Sequence, residues 1–181
     1  MNGAAYLADA IKRFQEAQAQ AERALAQVPF EFWGHRLDPE SNSLTTLMLH
    51  LSGNLRSRWT DFLQSDGEKP DRDRDSEFED PATLTEQALR AQWAEGWACL
   101  FTALGSLAEA DLERTITIRA QPHSVMEAIN RQLAHYPYHV GQLVFLAKLL
   151  STGPWQTLSV PRQGSVAFNE ALRQRAGSSQ T

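Results

Sequence analysis

The chain has 181 residues, 42% of them apolar, and 17 Lys and Arg stand against 22 Asp and Glu, a net charge of -5. That length can bury a core without disulfide or metal staples, and that apolar share excludes wholesale disorder. The acidic balance argues against a nucleic-acid backbone or an anionic membrane surface as partner, since both recruit basic patches.

The opening residues, MNGAAYLADAIKRF, are amphipathic and lack the apolar core and small-residue cleavage site of a signal peptide. No apolar run approaches the roughly 18 residues that span a bilayer. Cys99 is the only cysteine, which excludes an internal disulfide and fits a reducing compartment. A cytoplasmic location is expected.

The first helix is expected over 4–28, where Leu7, Ile11, Phe14, Ala17, Ala21, Leu25 and Val28 step by four and three up to Pro29. A second, over 43–63, starts at an Asn42/Ser43 cap and carries Leu44, Leu47, Met48, Leu51, Leu55 and Phe62 on one side. The segment 66–80, DGEKPDRDRDSEFED, interleaves both signs of charge and has the composition of a solvated loop. The third helix, over 83–104, follows Pro81 with a Thr83/Thr85 start and shows Leu89, Trp93, Trp97, Leu100 and Leu104. Residues 114–119, RTITIR, alternate β-branched and polar side chains and read as a short extended connection. The fourth helix begins at Ser124 and runs to 150, where Ser151-Thr152-Gly153-Pro154 stops it. In the tail, 154–181, a short helical pattern over 165–173 precedes a fraying GSSQT end. Four helices of about 20 residues predict one all-α domain over 1–181, an antiparallel four-helix bundle.

Of the five histidines, His135 and His139 lie one turn apart on the fourth helix, at the edge of the stripe formed by Val125, Ile129, Val140 and Leu143. His50 flanks Leu47, Leu51 and Leu55 on the second helix. All three point inward, and a shared metal ion would satisfy one nitrogen on each ring. Hydrogen-bonded core histidines would serve the H-x-x-x-H pair equally well. His35 and His123 lie in connections and share no such face. Pro137 sits between the paired histidines; the apolar stripe continues in phase across it, which favours one bent helix over two.

These features resemble the DinB/YfiT-like metalloprotein superfamily, most closely a subfamily of unknown function. The residues that carry the likeness are SNSLTTLMLHLSGNLR (41–56), the charged run at 66–80, HYPYHVGQLVFLAKLL (135–150) and TLSVPR (157–162). The resemblance implies a four-helix bundle, usually a homodimer, with its metal held by three histidines that correspond to His50, His135 and His139. It further implies a metal-dependent enzyme. Characterised relatives include transferases and isomerases that use low-molecular-weight thiols, and others are described as metal-dependent hydrolases.

Three neutral imidazoles leave a divalent ion an open position, the arrangement of catalytic zinc. Imidazole suits zinc, nickel, iron or copper; zinc and nickel are the ions expected here. The ion can make a bound thiol acidic, as a thiol transferase requires, or a bound water, as a hydrolase requires. Asn54 and Arg58 follow His50 by one and two turns on the same inward side. Arg58 either meets a carboxylate of a thiol cosubstrate or snorkels at the helix end. Tyr138 and Gln142 are weaker candidates for contacts to the site. No acid stands beside the histidines on the fourth helix, so no general base or other catalytic side chain is named, which favours thiol transfer. The remaining alternative is a non-catalytic metal- or ligand-binding bundle. Trp33 and Trp155 lie outside the stripes, and the apolar surface they would expose supports a homodimer.

Overall fold

The computed structural model describes residues 2–81 and 83–178. Four long helices carry the chain: α1 (Gly3–Leu25), α2 (Leu44–Trp59), α3 (Glu86–Gly105) and α4 (Val125–Leu150), with an outlying α5 (Ser165–Ser178). Each long helix starts at the cap its sequence offers. Asn2 and Thr85 side chains accept from the N–H of Ala5 and Ala88, and Ser43 and Ser124 form reciprocal capping boxes with Thr46 and Glu127. α1 stops at Leu25, three residues before the expected end, as the chain turns toward Pro29. α2 stops at Trp59, because Asp61 takes φ 47°, a left-handed conformation that no helix continues through. α4 is unbroken through Pro137, as the in-phase stripe required.

The all-α bundle is therefore as expected, but its helix directions are more specific than a simple antiparallel arrangement. The Tyr6 hydroxyl, at the start of α1, donates to Asn130 Oδ1 at 2.8 Å, near the start of α4. Gly96 of α3 lies against Ser52 and Leu55 of α2, and Thr60 lies beside Cys99 one turn further along both. α1 and α4 thus run parallel, as do α2 and α3. The Trp93–Glu22 contact joins the start of α3 to the end of α1, so the two pairs oppose each other. The antiparallel relation holds between pairs and not within them. Gly96 is what lets α2 and α3 approach: a Cβ there would sit 3.1 Å from both Ser52 O and Leu55 Cβ.

Parallel neighbours cannot be joined by a tight turn. The chain leaving α2 must travel back along a helix of about 24 Å before α3 can begin. The charged segment 66–80 makes that return journey along the bundle and is not the solvated loop its composition implied. Its first end is fixed by Asp66 and its last by Asp80, which accepts from Arg36 Nε at 2.7 Å and Ser43 Oγ at 2.6 Å.

Asp66 also explains the connection before α4. The extended stretch expected at 114–119 is β1 (Thr115–Ile118), and it pairs antiparallel with β2 (Gln121–Ser124), Ile118 opposite Gln121. The two turn residues, Arg119 and Ala120, both have positive φ, 54° and 58°, as a tight hairpin turn demands. Neither is glycine. The Asp66 carboxylate accepts both of their N–H groups, at 2.8 and 2.7 Å, and so offsets the strain.

The core takes side chains from all four long helices, with Phe14, Leu51, Trp97, Ile129 and Tyr136 among those fully buried. Trp33 belongs to it too. It is 1% exposed and donates Nε1–H to the Val28 carbonyl, which corrects the surface position expected for it. Trp155 is half-buried against the same core. Exposed apolar groups lie elsewhere, at Tyr138, Phe145 and Leu149 on α4 and at Val166, Phe168 and Leu172 on α5. Among the described residues no helix is long and apolar enough to cross a membrane.

Candidate metal centre

The opposed directions of α2 and α4 set His50, in the first half of its helix, against His135 and His139, which straddle the middle of theirs. The three rings stand 4.7 to 5.5 Å apart between centroids, and one nitrogen from each lies within 4.8 Å of the others. His50 is buried and the other two are half-buried.

Two of the rings are oriented by what their Nδ1 meets. The Nδ1 of His50 lies 2.9 Å from Glu77 Oε2. An ionised carboxylate only accepts, so Nδ1 is the donor and Nε2 is the nitrogen left to face an ion. Glu77 is ionised: burial pushes its carboxyl up, but hydrogen bonds from His50 and Arg72 and the charge of Arg72 outweigh that and hold it below its ordinary value. Arg72 grips it in a fork, Nε to Oε1 at 2.7 Å and Nη2 to Oε2 at 2.8 Å. His139 Nδ1 likewise donates to Gln142 Oε1 at 2.9 Å, one turn further along α4. The Nδ1 of His135 is buried and has no partner.

Burial, and then the charges of His139 and His50, push His135 down to about 3. Burial also lowers His139, against the opposing effect of its hydrogen bond to Gln142. These two rings are neutral at pH 7, as a metal requires of its ligands. Three convergent imidazoles, two with far nitrogens held by acceptors and one with an orphaned buried nitrogen, fit a single divalent ion.

The triad inferred from sequence is thus brought together. His35 and His123 lie apart from it, His123 bonding the Gln121 carbonyl. Glu77 and Arg72 were missed because they sit in the segment read as solvated. One signal was available: Phe78, a lone aromatic in an acidic run, packs on His50 with ring centroids 4.8 Å apart. A free loop gains nothing from burying such a ring. Gly53 completes the arrangement, since a Cβ at that point of α2 would collide with Glu77 Oε1.

A cleft of about 560 Å³ opens over the triad. Asn54 and Arg58 both line it, and both are buried. The Asn54 Oδ1 accepts from the Tyr136 hydroxyl at 3.2 Å, and that hydroxyl accepts from Trp59 Nε1 at 3.0 Å. Arg58 does not snorkel. It donates to the Gly67 carbonyl and, at 2.9 Å, to Glu68, while its Nε is buried without a partner. Tyr138 stands at the rim, 63% exposed.

Among known proteins, no curated protein and no solved structure matches this chain. The model of a family described as "Protein of unknown function (DUF1572)" matches residues 1–164, the whole bundle and the triad, and stops just short of α5. The chain belongs to the DUF1572 family, and through it to the DinB/YfiT-like superfamily that its three histidines suggested.

Proposed function

We propose that the chain is a metal-dependent enzyme that transfers a low-molecular-weight thiol to a second small molecule, with one zinc or nickel ion on His50, His135 and His139. One observation carries this reading over hydrolysis: among the described residues no carboxylate lines the cleft above the triad. Glu77, the nearest acid, spends both oxygens on His50 and Arg72 and is held ionised, so it orients His50 and is a poor proton acceptor. A divalent ion held by three neutral imidazoles supplies Lewis acidity that makes a neighbouring thiol or water more acidic. A thiol needs no further base to become a nucleophile at neutral pH, whereas ester or amide hydrolysis gains from one.

Within that reading Asn54 and Arg58 position the cosubstrate. Tyr136 occupies the Asn54 carbonyl oxygen, which leaves the amide N–H groups for a ligand. Arg58 offers its unpartnered Nε. Replacing Arg58 by Ala is expected to preserve metal content and raise the KM for an anionic cosubstrate by roughly tenfold or more, at smaller cost to kcat.

The chain acts as a homodimer in this proposal, because Tyr138, Phe145 and Leu149 form an exposed apolar stripe along α4. A monomeric mass at tens of micromolar in solution would remove that element. Nucleic acid is not its partner, and the sole cysteine, Cys99, fits the cytoplasm.

The deciding experiment is metal analysis of the purified chain, followed by a screen of thiol consumption with several low-molecular-weight thiols and electrophiles. About one ion per chain and metal-dependent thioether formation are expected. Ester or amide cleavage without thiol would replace the reading by hydrolysis, and metal binding with no product would leave a non-catalytic binding bundle.

A further inference from the structure

The chain is acidic, yet five arginines line the cleft over the triad: Arg58, Arg72, Arg74, Arg119 and Arg131. Four separate elements bring them there, namely α2, the return segment, the hairpin turn and α4. Their carboxylate partners are fewer. Glu68 is shared by Arg58, Arg72 and Arg119, and Glu77 is taken by Arg72. Among the described residues Arg74 has only Asp75, 3.9 Å away and 99% exposed, and it stacks over Phe78. Arg131 has neither a hydrogen bond nor an ion pair among the described residues. A concave, partly desolvated wall with surplus positive charge focuses the field on an anion.

A second observation points the same way. Arg58 Nε, a donor, and Gln132 Oε1, an acceptor, are both buried in this wall without partners, on side chains 5% and 3% exposed as residues. Buried polar atoms are nearly always satisfied, so an orphaned donor and an orphaned acceptor on two residues that line the same cleft mark groups that a ligand can complete.

We propose that the substrates of this cleft are small organic oxyanions, carboxylates or phosphates, whose charged end lies across Arg74, Arg119 and Arg131 at the mouth. A polar group further in completes Arg58 Nε and Gln132 Oε1. This deepens the enzymatic reading by naming its substrate class and rests on the cleft being the substrate site, but it requires no metal. The Arg119 guanidinium reaches the cleft because the hairpin turn holds its backbone at positive φ, fastened by Asp66.

The test is thermal melting of the full, metal-free chain at low salt with pyrophosphate or succinate, against sodium chloride at matched ionic strength. Either anion is expected to raise the Tm above the salt control, pyrophosphate alone marking phosphate-type ligands and succinate alone marking carboxylates. Arg131→Gln and Arg119→Gln, both at exposed positions, should each weaken the apparent affinity about tenfold, the loss of one charge-assisted contact. Arg23→Gln on α1 should leave it unchanged. No shift with either anion, or an equal shift in all three variants, overturns the inference. Turnover of neutral electrophiles by a metal-loaded chain that binds no anion would sink this inference alone; anion binding with no turnover would sink only the enzymatic reading.

Discussion

Two regions build the centre, and they are held in place by different forces. His50, His135 and His139 ride on α2 and α4, whose neighbouring side chains Leu47, Leu51, Leu55, Val140 and Leu143 are wholly or almost wholly buried. Glu77 and Arg72 ride on the return segment, which has few apolar anchors and is fastened by charge-assisted bonds at Asp66, Glu68, Glu77 and Asp80. Apolar packing is indifferent to protonation and depends weakly on any one atom. The return segment depends on each of its carboxylates. The ligands should therefore survive perturbations that release the residue orienting one of them.

The sharpest break is to the ligands themselves. His135→Ala and His139→Ala should reduce bound metal from about one ion per chain to near none and abolish turnover. The bundle should keep its helicity, since each buried core side chain contributes on the order of 1.5–3 kcal/mol independently of the ion. Circular dichroism and metal content decide this. A full complement of metal in His135→Ala, or an unfolded variant at room temperature, would refute it.

Next is the return segment. Glu77→Ala leaves Arg72, whose side chain is 5% exposed, with only a 3.4 Å contact to the already shared Glu68, and should destabilise by up to about 3–5 kcal/mol. Glu77→Gln keeps the volume and should spare more of the fold, yet weaken metal affinity by roughly 10–100-fold because His50 loses its carboxylate acceptor. Gly53→Ala is the complementary probe. Alanine favours a helix over glycine by about 1 kcal/mol, but here it displaces Glu77. Weaker metal binding at unchanged helicity is expected, read by competitive chelation.

Acid separates the two regions by pH. In the metal-free chain, folded His135 stays neutral down to about 3, while the unfolded chain protonates it near its ordinary 6.5. That difference contributes nothing above about pH 6.5 and removes stability progressively as pH falls from there toward 3. Glu77 works in a lower window: its depressed carboxyl stabilises the fold above the ordinary glutamate value of 4.5, and that is lost as pH falls through its folded value. Denaturant melts of wild type, His135→Leu and Glu77→Gln between about pH 2 and 8 should show the His135 variant flattening the upper part of the acid slope and the Glu77 variant flattening the part below 4.5. An unchanged slope in both variants would count against the assignment.

The ligand region was legible in the sequence and the return segment was not. Periodicity reports which face of a helix is inward, and His50, His135 and His139 fall on that face. It says nothing about which loop carboxylate will meet His50, because that depends on α2 and α3 being parallel, a property of topology. Gln142 was named only as a weak candidate, yet the same one-turn geometry that pairs the histidines brings it to His139. β2, with sequence QPHS, carries no strand-forming pattern; it exists because it pairs with TITI across a tight turn.

The smallest expected effect concerns that turn. Ala120→Gly removes the cost of a Cβ at φ 58° and should stabilise by about 0.5–1 kcal/mol after the extra entropy of glycine is subtracted. A Tm that falls instead would mean that the Asp66 bonds already compensate fully.

The direction of the helices also sets an order of assembly. α1 and α4 are neighbours in space but lie at opposite ends of the matched chain, and the Tyr6–Asn130 contact closes a separation of 124 residues. During synthesis α2 and α3 can pair as they emerge, while α1 waits for α4, the helix it packs on most. Loop-closure entropy makes this docking the slow event. Because α1 packs chiefly on α4, and His135 and His139 arrive on α4 to meet His50, a bound metal ion should stabilise the joining of α4 and α1 to the α2–α3 pair, read as a slower unfolding rate with metal than without.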